Sequence, residues 1–202
     1  HKFQGPQNRY GDYPFAGMGR SASIEAQPSG AHADYPDADF SRPDEAYFAY
    51  ADWVIKQAAE RGIVVFLAPI YLGYKNPLHD ADEGWYYEAL RNGPARCYAY
   101  GRYLGRRYAQ YDNIVWMLSG DRNPEGAREH VDAVAWGIKE GAPGHLITAH
   151  CAPENAAASQ FAPDGWLTLN TVYTYAIVHR KLLAEYRREP PMPFVLIEST
   201  YE

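Results

Sequence analysis

A chain of 202 residues is long enough for one domain with a substantial core. With 47% hydrophobic and 22% charged residues it falls outside the disordered class, and a net charge of -6 argues against a nucleic-acid partner, which calls for clustered Lys and Arg. No apolar run, "GIVVFLAPI" (62–70) included, is long enough to span a membrane.

In chain order, residues 1–23 show no periodic apolar pattern and read as loop. The chain opens on His1 without a signal peptide, so an excerpt of a longer protein is expected. The loop "AHADYPDADFSRPDE" gathers Asp34, Asp37, Asp39 and Asp44 without EF-hand spacing, and these acids read as turn formers and helix caps. From Pro43 a helix is expected, with Tyr47, Tyr50, Ala51, Val54, Ile55 and Ala58 at helical spacing and Gly62 closing it. "IVVFLAPI" (63–70) follows as an unalternated run, which predicts a strand covered on both faces.

The alternation repeats. A helix over 95–111, with Tyr98, Tyr103, Leu104 and Tyr108 along it, leads to the strand "NIVWMLSGD". A helix over 124–142 leads to "HLITAHC". An Ala-rich connection leads to "GWLTLNTVYT", and a helix over 175–189 leads to "FVLIE". Alternating β and α elements predict an α/β fold with a parallel sheet, either doubly wound or a (β/α)8 TIM barrel. Polar and aromatic residues gather past the ends of five different strands: Tyr71, Asp121, His150, Tyr173 and Glu198. That distribution favours the barrel, whose functional groups come from many strand ends, over a sheet with a single switch point. The barrel would be incomplete, with roughly strands two or three to seven visible, and residues 1–202 are expected to form one partial domain.

Asp121 and Glu198 each end a strand and form the minimum pair for glycoside hydrolysis, in which one carboxyl donates a proton and the other stays ionised. For Asp121 the competing expectation is a helix cap. His150 could contact a sugar hydroxyl or, with Asp121 and Glu198, a metal, although HxH and HExxH are both missing. Tyr71, Trp85, Tyr86 and Tyr173 could stack on sugar or simply pack. Cys97 and Cys151 are expected to be two unpaired thiols, and Arg102, Arg106 and Arg107 a solvated basic face.

The succession "NRYGDYPF", "RGIVVFLAPIYLGY", "YGRYLGRRYAQYDNIVWMLSGDRNP", "HLITAHCAPENAAASQF", "GWLTLNTVYT" and "PFVLIESTYE" resembles the apiosidase-like family of glycoside hydrolases. That family is a (β/α)8 barrel, often followed by a small β domain once labelled collagen-binding. The resemblance implies a glycosidase acting on plant-type polysaccharide or its side chains, secreted or periplasmic; no metal or other cofactor is expected. It places the acid/base at Asp121 and the nucleophile at Glu198, with Glu202 in the same closing Glu-x-x-Tyr-Glu motif. Substrate contacts are expected from Tyr71, Trp85, His150 and Tyr173. The family's Gly-Gly-Asp here reads Ser119-Gly120-Asp121. A partial barrel exposes sheet edges and an apolar interior, to be met by further chain or by strands of a second copy. A sugar-binding barrel without turnover and a metal-dependent hydrolase are the rival expectations.

Overall fold

The computed structural model describes residues 6–19, 23–25, 32–74 and 84–201. Glu202 lies outside them. A short antiparallel hairpin, β1 (Ser23–Glu25) and β2 (His32–Asp34), precedes an alternating series. That series runs α1 (Glu45–Ala59), β3 (Val65–Leu67), α2 (Tyr86–Tyr108), β4 (Ile114–Ser119), α3 (Arg128–Gly141), β5 (Leu146–His150), α4 (Ala157–Phe161), β6 (Asn170–Tyr173), α5 (Val178–Tyr186) and β7 (Phe194–Glu198). The hairpin corrects the loop reading of this region; strands of three residues are too short to show alternation.

Strands β3, β4 and β5 pair in parallel, as do β6 and β7. At the junction, the amides of Thr168 and Leu169 donate to the Ile147 carbonyl at 2.9 and 3.2 Å, and Thr148 donates to the Thr171 hydroxyl at 3.2 Å. All five expected strands therefore exist and follow one another in chain order. This is a mixed α/β fold with parallel strands. Among the described residues there are five such strands and no closed barrel.

Asp44 caps α1, its carboxylate accepting from the amides of Ala46 and Tyr47, and Asp39 accepts from the Ser41 amide and hydroxyl, as expected of capping and turn acids. The buried face of α1 is Phe48 and Ile55, whereas Val54 is exposed and Tyr50 only half-buried. Helix α2 starts nine residues before the expected 95, because Gly93 (φ 70°, ψ 167°) and Pro94 kink it without ending it. Its arginines are not simply solvated. Arg107 pairs with Asp52 and Glu45 of α1 at 2.8 and 2.6 Å, while Arg102 and Arg106 reach Glu140 of α3 at 3.6 and 3.4 Å.

Helices α2 and α3 meet at four glycines. A Cβ on Gly101 would lie 2.2 Å from the Val134 carbonyl oxygen, and one on Gly137 2.3 Å from that of Tyr98. Gly105 and Gly141 are equally close to the facing backbone, at 2.6 and 2.5 Å. Only hydrogen fits there. The core lies between these helices and the outer face of the sheet. Trp116 of β4 is fully buried beside Tyr108 of α2 (ring centroids 6.1 Å) and donates to His145 Nδ1 at 3.0 Å. Cys97 and Cys151 are both free and buried, and burial pushes each thiol up to about 12.

The inner face of the strands is open at its lower end. Phe66, Val115 and Leu146 pair across β3, β4 and β5, and Phe66 and Leu146 are 37% and 45% exposed. Ile63 and Val64 are exposed too, which corrects the expectation that this run is covered on both faces. The reason is that β3 has a described neighbour on one side only.

Candidate active site

Strand β4 ends in Ser119-Gly120-Asp121, three consecutive residues with positive φ (66°, 115° and 49°). Such backbone costs energy for non-glycine residues and persists only where neighbours hold it. Here the Ser119 carbonyl accepts from the Leu72 amide at 2.7 Å, the Gly120 amide donates to the His150 carbonyl at 2.8 Å, and the Ser119 hydroxyl donates to the Arg122 carbonyl at 2.8 Å. Gly120 is required as well by the Tyr71 ring, which a Cβ would meet at 2.2 Å. Asp121 caps no helix, since α3 begins at Arg128, so its carboxylate is left for the strand mouth.

The imidazole of His150, the buried last residue of β5, stands between two carboxylates. Its Nδ1 is 3.1 Å from Asp121 Oδ1, and its Nε2 is 3.1 Å from Oε2 of Glu198, the last residue of β7. Both carboxylates present an oxygen within 4.8 Å of one another, around a cavity of about 190 Å³ that Tyr71, Met117 and Ala68 also line. The Asp121 amide donates to the same Nδ1 at 3.3 Å.

Phenols complete the site. Tyr71 donates to Asp121 Oδ2. On Glu198, Oε1 accepts from Tyr175 at 3.0 Å and from Tyr201, and Tyr175 in turn accepts from Tyr173 at 2.7 Å. The Tyr173 ring packs 5.1 Å from His150. Burial, the Tyr175 hydroxyl and the Glu198 charge all push the Tyr173 phenol up, so it remains a donor. Burial likewise pushes the Asp121 carboxyl up, but hydrogen bonds from His150 and Tyr71 outweigh it, and the group lies below its ordinary value.

That depression has a testable consequence. A carboxyl held low in the fold adds stability that is present above its unfolded value of 3.8 and is lost as the pH falls through the lower folded value. Tyr71→Phe removes one of the two stabilising donors. Its melting temperature is expected to trail the parent's clearly at pH 7, with the gap closing as the pH drops below about 4. An equal gap at pH 7 and pH 3 would show that Tyr71 does not act through Asp121.

Of the expected site residues, Tyr71, Asp121, His150, Tyr173 and Glu198 come together. Trp85 does not join them: it sits half-buried against Phe15, Tyr35 and Phe40, with ring centroids 6.0–6.3 Å away, and its amide donates to the Tyr71 carbonyl at 2.8 Å. Tyr86 instead carries the Arg122 guanidinium over its ring at 3.9 Å. Tyr175 was expected on the last helix, yet α5 starts at Val178 and leaves it in the preceding turn. Tyr201 belongs to the closing Glu-x-x-Tyr motif, whose spacing was its signal. Asp121, His150 and Glu198 are also the one group among the described residues with metal-ligand composition. The carboxylates approach opposite nitrogens of the ring.

Residues 18–202 match the profile of the apiosidase-like catalytic domain. The chain belongs to that family. A crystal structure of a family 5 glycoside hydrolase from Bacteroides vulgatus is similar over 77% of this chain and 35% of that protein, with 28% identity and a TM-score of 0.63. A second solved glycoside hydrolase is similar over 97% of this chain and 42% of that one, with 20% identity and a TM-score of 0.67, a likeness of fold alone. The apiosidase-like chain thus spans less than half the length of either structure. No curated protein matches it.

Proposed function

We propose that this apiosidase-like domain is part of a (β/α)8 glycoside hydrolase that cleaves plant-type polysaccharide or its side chains with retention of configuration. Residues 1–202 form a single portion of the catalytic barrel, strands β3 to β7 corresponding to its third to seventh. The observation that carries the reading is the pair Asp121 and Glu198, at the ends of β4 and β7, with one oxygen of each carboxylate within 4.8 Å of one on the other. Carboxyl groups about 5–5.5 Å apart suit a nucleophile that attacks the sugar directly, whereas roughly 6.5–9.5 Å leaves room for an intervening water.

In the first step Glu198 attacks the anomeric carbon, and the glycosidic oxygen leaves with a proton from Asp121. In the second, Asp121 takes a proton from water, which displaces Glu198 from the sugar. Two phenols already donate to Glu198 Oε1 and the His150 imidazole lies against Oε2, so the side chain is held in one orientation. Asp121 is held low in the empty site and needs the opposite shift to serve as the acid. Substrate supplies it by excluding water and by taking over the Tyr71 hydrogen bond. His150 and Tyr173 border the sugar.

The direct test is proton NMR of the first product released from a panel of pectic oligosaccharides and aryl glycosides. Retention of the anomeric configuration is expected. Inversion would remove the nucleophile role from Glu198, and no turnover of any glycoside would leave the sugar-binding reading. Activity abolished by chelator and restored by zinc would favour metal-dependent hydrolysis.

A further inference from the structure

A second organised cluster lies one turn away from the carboxylate pair, at Glu154. This residue is exposed and holds a left-handed backbone (φ 64°), an arrangement unfavourable for a side chain of its size unless something secures it. Three donors converge on its carboxylate. The Thr174 hydroxyl binds Oε2 at 2.6 Å, and the amides of Tyr175 and Ala176 bind Oε1 at 2.7 and 3.1 Å. From α5, Lys181 Nζ donates to the Glu154 carbonyl at 2.6 Å. The Thr174 hydroxyl, followed by the two amides, holds the carboxyl below its ordinary value, so it is an anion in a ring of donors.

The clamped segment, 174–176, carries the phenol that reaches Glu198. The Thr174 amide also donates to the Glu198 carbonyl at 3.2 Å, so the same turn grips the strand end and its side chain. Tyr175 is 42% exposed and sits in a turn, where an unrestrained phenol would sample several rotamers. Tyr173 donates to the Tyr175 oxygen, which commits the Tyr175 proton to Glu198.

On the reading that Glu198 is the nucleophile, we infer that Glu154 is a positioning residue for it. By fixing the 174–176 turn, Glu154 delivers the Tyr175 hydroxyl to Glu198 Oε1 and keeps Oε2 turned to His150 and the sugar. Glu154 touches neither substrate nor reacting atom. It acts through Tyr175.

The test uses the purified protein and an aryl glycoside with a poor leaving group, so that attack limits turnover. Glu154→Ala is expected to lower kcat about tenfold, the worth of one hydrogen bond to a charged group, with KM within about twofold. Glu154→Gln keeps an acceptor for the two amides and should stay within about threefold of the parent. Tyr175→Phe should match Glu154→Ala, and the double variant should be no slower than Tyr175→Phe alone, because both remove one link. Activity of Glu154→Ala within about twofold of the parent, a loss confined to KM, or losses that multiply in the double variant would each overturn the inference. Should Glu154→Ala fail to fold, Thr174→Val takes its place: losses shared with Tyr175→Phe support the link and multiplying losses refute it. Glu198→Gln separates the two levels. If it turns over like the parent, the catalytic reading itself fails; if it is inactive while Glu154→Ala is unaffected, only the role of Glu154 falls.

Discussion

Replacing Glu198 by Gln is expected to lower kcat by roughly 10³-fold or more while leaving the melting temperature close to the parent's. The amide keeps the shape of the carboxylate and an oxygen for the Tyr175 and Tyr201 phenols, and can be oriented to keep a partner for His150 Nε2, so little packing is lost. It cannot attack an anomeric carbon. Asp121→Asn should behave differently. Its loss, roughly 10²–10⁴-fold, should appear with poor leaving groups and shrink with activated ones, which depart without a proton. If both variants lose activity alike on every substrate, the division of labour between the two carboxyls is wrong. If neither loses any, the catalytic pair is wrong.

The second large effect is at Gly120. A methyl group there would sit 2.2 Å from Tyr71 Cδ2 and 2.7 Å from Cε2, and the backbone has φ 115°. Strain of about 1–3 kcal/mol from the backbone and a similar amount from overpacking give Gly120→Ala a destabilisation of about 2–6 kcal/mol. The ring cannot stay where it is, so the variant should also lose the Tyr71–Asp121 hydrogen bond, and the Asp121 carboxyl should titrate higher than in the parent. Chemical denaturation and carboxyl NMR check the two parts. A stable variant with an unmoved Asp121 titration would mean that Tyr71 can yield without cost.

The elements that could be read in advance were those written in long local patterns. The runs through Val65, Trp116 and Leu196 are continuous and apolar, those through Ile147 and Val172 are apolar and β-branched with Thr interspersed, and each became a strand. The site residues at the ends of those strands followed, because a parallel strand end is a defined place once the strand is known. Asp121, His150 and Glu198 were placed at the strand ends in this way. What escaped depended on geometry that no local pattern encodes. The Gly93-Pro94 kink hid the first turns of α2, since the pair reads as a break and here bends a helix that resumes. In α1 the choice between the Phe48 face and the Tyr50 face depends on which side meets the sheet. Trp85 was expected near the strand-end face as an aromatic that could stack on sugar, but an aromatic cluster from the N-terminal segment took it up. Glu154 and Tyr175 are 21 residues apart and meet only through loop backbone, so neither announced the other.

The four glycines between α2 and α3 bear on the chemistry from the far side of the sheet. Each of these helices hands the chain to a strand of the site: α2 leads into β4 and Asp121, and α3 into β5 and His150. Where peptide group rests on peptide group, the interval between two helices is gauged by covalent dimensions rather than by the rotamers of interlocking side chains. The seam is therefore a ruler. Substitutions elsewhere on the helix surfaces leave its scale alone, whereas one added methyl at Gly101 or Gly137 would be read out at the opposite end of both strands, as a change in spacing between a carboxylate and an imidazole.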